Sequence, residues 1–75
     1  MHNIYNNVMR FLTYTVRGDE LAYGDVIHIN PSYVASIMEM ESGKAMITMI
    51  DGSTYWVHES ASSVKSDVES ANYNQ

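Results

Sequence analysis

Between residues 11 and 58 the apolar side chains recur at alternate positions in short blocks, and each block is closed by Gly, Pro, Asn or Asp. Alternation over four to eight residues between such breakers is the pattern of half-buried β-strands. Residues 11–16 predict a first strand, with Phe11, Thr13 and Thr15 on one side and Leu12, Tyr14 and Val16 on the other. Residues 17–20 supply a turn that widens into a loop over 21–25. A short second strand, residues 26–29, stops at Asn30-Pro31, because proline cannot donate to a ladder and restricts the residue before it. Residues 34–40 fit a strand or a helical turn on pattern alone. The turn residues Glu41, Ser42 and Gly43 that follow favour a strand.

The stretch from Lys44 to His58 reads as one complete β-hairpin. Two arms rich in β-branched and aromatic residues flank Asp51-Gly52, where a tight turn is expected because Asp tolerates a positive φ and Gly carries no Cβ. On the first arm Ala45, Ile47 and Met49 oppose Met46, Thr48 and Ile50. On the second, Tyr55 and Val57 oppose Thr54, Trp56 and His58. A hairpin apolar on both faces is central in a sheet, lines a small barrel, or is covered by a helix or a partner. Strands three, four and five then form a meander.

After His58 the period changes from two to between three and four. Ala61, Val64, Val68 and Ala71 form a narrow apolar stripe, so residues 60–71 predict a helix with Ser60 as N-cap. Its many serines lower helix propensity, and it persists only if Val64 and Val68 dock on the sheet. The expected fold class is therefore mainly β, a small α+β domain. It has a four- to five-stranded antiparallel sheet, strongly curled or closed into a small barrel, with one short C-terminal helix. The organisation is a single domain, residues 1–75: a weakly patterned lead-in (1–8), the sheet (9–58), the helix (60–71) and a flexible tail (72–75). Phe11 or Leu12, Ile27, Ile37, Ile47 and Val57 are the expected core, with the helix as lid.

Size and charge narrow the function. A chain of 75 residues buries only a modest core, and with no Cys it has neither disulfide staples nor thiolate zinc ligands. The net charge is −5, and the four cations, Arg10, Arg17, Lys44 and Lys65, are scattered. Direct nucleic-acid binding needs several cations on one face, so no nucleic-acid partner is expected. The acidic surplus serves solubility or attracts a basic partner surface. No stretch has the apolar length of a signal core or a membrane span, so a cytoplasmic protein without membrane contact is expected. The tripeptide Arg17-Gly18-Asp19 is read as a turn rather than an adhesion motif.

Little here does chemistry. His28 and His58 lie on predicted strands and, with Glu59, could converge on a metal, but without the close spacing of zinc sites. The serines concentrate at 60–70, where capping and a solvated helix face account for them. Asp19, Glu20 and Asp25 fall short of a calcium loop, and no Gly-rich phosphate cradle exists. The expectation is a non-enzyme without cofactor. What remains is surface. Trp56, Tyr33, Met38, Met40 and Met46 are candidates for a contact patch, since Trp, Tyr and Met anchor interfaces, although Trp56 could equally be core and for the methionines core is the favoured reading. Asp19, Glu20 and Asp25 are candidate acidic contacts for a basic partner.

Residues 29–37, followed by residues 45–60 and Val64, show a strand, an Asn-Pro turn, a strand, a hairpin with a Gly turn, and a Glu-Ser entry into a short helix. In this order of features the chain resembles the FlbD family of small flagellar-operon proteins over roughly residues 11–69. The resemblance implies a fold and no active site. Being short, acidic, Cys-free and poor in catalytic groups, the chain is also similar in kind to phage-encoded proteins that disable a host machine. The expected function is a non-enzymatic protein-binding module, in its sharper form a phage or mobile-element inhibitor that occludes a functional surface of a host complex. The alternatives are a structural or assembly factor of flagellar or virion type acting as a homo-oligomer, and a histidine-based metal-binding domain.

Overall fold

The computed structural model describes residues 10–17 and 25–73. They form five antiparallel strands, β1 (Leu12–Thr15), β2 (Val26–Ile29), β3 (Val34–Glu39), β4 (Lys44–Met49) and β5 (Thr54–Ser60), and one helix, α1 (Ala61–Tyr73). A 3₁₀ turn at Pro31–Tyr33 links β2 to β3, started by Asn30, whose Oδ1 accepts the Ser32 N–H at 2.9 Å. The fold class is small α+β, but the expected single curled sheet or barrel is corrected. There is a two-stranded ribbon, β1-β2, and a three-stranded meander, β3-β4-β5, and neither is closed or strongly curled.

The reason lies at the seam between the two sheets. Among the described residues, main chain meets main chain between β5 and the first strand's chain at the Val16–Val57 bridge and at the Arg17 N–H to Trp56 carbonyl bond of 2.9 Å. One step further on, the Glu59 carboxylate takes the Thr15 N–H at 3.1 and 3.2 Å, so a side chain occupies the place of a ladder bond. The register of β5 also breaks here. Lys44 pairs with Ser60 but Met46 pairs with Trp56, so β5 carries two extra residues opposite one short stretch of β4 and bulges around His58 and Glu59.

Both hairpins of the meander are closed by three-residue loops, not by the tight two-residue turn expected at Asp51-Gly52. Met49 and Ser53 bracket Ile50-Asp51-Gly52, and Met40 and Lys44 bracket Glu41-Ser42-Gly43. In each the glycine alone adopts positive φ, 93° at Gly52 and 89° at Gly43, which is the usual build of such loops. Asp51 instead stays in ordinary φ space and accepts the Ser53 N–H on Oδ1 at 2.9 Å, which holds its carboxyl below the usual carboxylate range.

The inner faces of both sheets and the apolar stripe of α1 meet in one core. Ile47, Val57 and Val64 are fully buried at its centre, with Tyr14 and Ile29 from the ribbon and Ala45 and Ala61 beside them. Leu12, Ile27, Ile37 and Val68 pack at its edge. Phe11, offered as a core residue, is 57% exposed, because Leu12, Tyr14 and Val16 hold the inner side of the strand. On β3 a one-residue register shift after Val34 keeps Val34 opposite Met49 and against the core and leaves Ala35 exposed.

Ser60 caps α1 as expected, its Oγ accepting the Ser63 N–H at 3.1 Å. The helix runs past the predicted end. Asn72, placed in a flexible tail by the sequence reading, is helical and donates from Nδ2 to the Pro31 carbonyl at 3.2 Å, tying the last turn to the 3₁₀ turn. Residues 74 and 75 of that tail, and the lead-in 1–8, lie outside the described residues.

Ile47→Val should cost about 0.5–1.5 kcal/mol of unfolding free energy in urea, whereas Ile50→Val, at a 65% exposed turn position, should stay within about 0.5 kcal/mol. Equal effects at the two positions would mean that the core is misplaced.

Candidate functional site

Burial of Ile47 and Val57 forces their strand neighbours to the opposite face, since side chains alternate along β4 and β5. Met46 and Trp56 therefore point away from the core, and they are direct cross-strand partners. Met46 also faces Met38 on β3. The three form one row across the outer face of the meander, spanning about 10 Å at the ordinary strand spacing. Met38 is 54% exposed and Trp56 48%, with Met46 half-buried between them. The next row on the same face is Ser36, Thr48 and Thr54, so neither row carries a charge.

Physically this is a small adaptable contact surface. Methionine has a flexible, polarisable side chain that follows an irregular partner, and an indole supplies a large rigid area with one donor. The row lies at the centre of the meander, while Glu41 and Asp51 sit in the hairpin loops at its two opposite ends. An apolar centre with charges at the rim is the arrangement found in protein interfaces.

Of the residues singled out from sequence, the structure brings together Met38, Met46 and Trp56. Met40 is separate: it follows β3, is half-buried, and closes the β3–β4 loop by donating its N–H to the Lys44 carbonyl at 2.8 Å. Tyr33 is 53% exposed on the 3₁₀ turn and its carbonyl accepts the Ile50 N–H at 2.8 Å, which places it beside the β4–β5 loop rather than in the row. Asp25 is exposed just before β2, where its carbonyl accepts the Val16 N–H at 2.7 Å. Asp19 and Glu20 lie outside the described residues.

The histidines occupy different settings. His28 is on the solvent face of the ribbon, its Nδ1 2.9 Å from the Thr13 hydroxyl. His58 is in the β5 bulge, where its carbonyl accepts from Lys44 Nζ at 3.1 Å. Among the described residues no three His, Asp or Glu side chains group to hold a metal.

Sequence reasoning missed a polar pair that ties the ribbon to the rest. Tyr14 is 3% exposed, and its hydroxyl donates to Asp67 Oδ2 on α1 at 2.8 Å. Burial, and then the bond to Asp67, push its phenol well above the ordinary value of 10.0. The available signal was the parity of Tyr14 with Leu12 and Val16, which aims it inward; the helix partner could not be read from the chain.

The fold and this face define a small α+β domain with an apolar row, Met38, Met46 and Trp56, on the outer face of its larger sheet. Compared with protein-family models, curated proteins and solved structures, the chain shows no match.

Because the folded state keeps the Tyr14 proton that the unfolded chain releases near pH 10, this contribution to stability is complete below pH 10 and declines as pH rises above it. Tyr14→Phe should cost about 0.5–1.5 kcal/mol at neutral pH and flatten that alkaline decline. An unchanged slope between about pH 10 and 12, read by urea unfolding, would remove Tyr14 as its source.

Proposed function

We propose that the chain is a non-enzymatic protein-binding module whose contact surface is the outer face of the β3-β4-β5 meander. The row Met38, Met46 and Trp56 carries this reading: three large apolar side chains stand side by side, two of them about half exposed, next to a second row, Ser36, Thr48 and Thr54, that also carries no charge. A monomer gains nothing by presenting an indole and two thioethers to water, whereas a partner that covers them removes that area. The surplus of carboxylates outside the row, within a net charge of −5, favours a partner whose surrounding surface is basic. An inhibitor that covers a functional surface of a host complex fits this combination.

A second reading is an assembly module that binds copies of itself. It is favoured by β3, which pairs with β4 alone among the described residues and so leaves its other edge without a strand partner.

Light scattering across a concentration range, followed by affinity capture from host lysate, separates the two. The expected result is a stable complex, with itself or with a captured protein, that Trp56→Ala weakens by about 2 kcal/mol or more while the protein's own stability moves by less than about 1 kcal/mol. A complex indifferent to Trp56→Ala and to Met46→Ala would sink the proposal.

A further inference from the structure

A second surface lies apart from the row and does not depend on it. A groove of about 390 Å³ runs between β2 and the β4–β5 loop. Four consecutive residues, Ile27, His28, Ile29 and Asn30, line one side of it. Successive side chains of a strand point to opposite faces, so a groove that touches all of them lies along the strand's edge. Among the described residues β2 pairs with β1 alone, and its second edge therefore presents the N–H and C=O groups of alternate residues toward this groove.

The opposite wall is mainly apolar, with Asp51 and Ser53 beside its hydrophobic side chains. Met49 and Tyr55 form its inner part, and Tyr33 and Ile50, 53% and 65% exposed, stand at its mouth. The volume falls within the range of about 300–1,000 Å³ typical of ligand sites. The charge is one-sided. Asp51 lines the groove, Asp25 is exposed one residue before β2, and no Lys or Arg is among the lining residues.

We infer that this groove takes an extended, basic segment of a partner protein as an added strand on the free edge of β2. One apolar side chain of that segment seats against Ile27, Ile29 and Tyr55, and a Lys or Arg faces Asp51. Main-chain pairing supplies affinity and the alternating side chains supply choice, as in other cases of strand addition. A purely apolar small molecule would fill the wall but leave the N–H and C=O groups of β2 without partners.

The test is a nitrogen-15 NMR titration of the full chain with an acetylated, amidated hexapeptide of alternating Val and Lys. Two controls accompany it: the same peptide with Glu for Lys, and the Val/Lys peptide N-methylated at alternate amides. The expected result is saturable shifts of the amides of Val26–Ile29 and of residues 49–55, with binding of the Glu peptide weaker by at least about fivefold. N-methylation on the pairing edge should abolish the shifts. Asp51→Asn, which keeps an acceptor for the Ser53 N–H, should narrow the gap between the Lys and Glu peptides. Shifts confined to Met38, Met46 and Trp56 would overturn the inference while leaving the outer-face proposal standing. Equal binding of the Glu peptide, undiminished binding of the N-methylated peptides, or an unchanged spectrum at millimolar peptide would each overturn it as well.

Discussion

Three constraints meet at Val57. Its side chain is fully buried at the centre of the core, its main chain forms the bridge to Val16 that joins the ribbon to the meander, and it lies in the stretch of β5, between Trp56 and Ser60, where the register against β4 shifts. A two-stranded ribbon is marginal by itself in water. β1 and β2 therefore persist because Tyr14 and Ile29 enter the same core as Val57, because Tyr14 bonds α1, and because Glu59 replaces the missing ladder bond to Thr15. Loss of the Glu59 carboxylate would leave a part-buried N–H without its acceptor, a cost of about 1–3 kcal/mol, at the seam where β1 packs against β5.

The outer face is a consequence of that core. Once Ile47 and Val57 are fixed inward, Met46 and Trp56 have only the other side to occupy, and the register places them opposite one another. The β3 bulge acts in the same direction. By absorbing one residue between Val34 and Ser36, it lets Val34 pack inward while Met38 stays in line with Met46. A bulge-free β3 could not satisfy both ends, because a one-residue slip reverses every side chain beyond it.

Much of the fold was legible because local rules and tertiary demands agree. Period two marked β2 to β5, Asn30-Pro31 marked the stop of β2, and Ser60 with the stripe Ala61, Val64 and Val68 marked α1. Exposure of Trp56 could not be read from sequence, since both faces of the hairpin are apolar and only packing of α1 against one of them decides which is inner. The division into two sheets was hidden for a related reason: it depends on a carboxylate from residue 59 reaching the N–H of residue 15, a contact with no local signature. Helicity at Asn72 was missed because its support comes from Pro31, far away in sequence. The polar pair Tyr14–Asp67 escaped for the same reason, and the loop type at Asp51-Gly52 because dipeptide rules do not count the residues bracketing the turn.

The seam also relates the two surfaces to one another. The Arg17 N–H donates to the carbonyl of Trp56, so the backbone that carries the indole is bonded to the chain that leaves β1. The neighbouring Val16 N–H is bonded to Asp25, the residue that leads into β2. The two surfaces therefore stand at either end of one short run of main-chain bonds, and the seam that joins the sheets into one core is also the link between them.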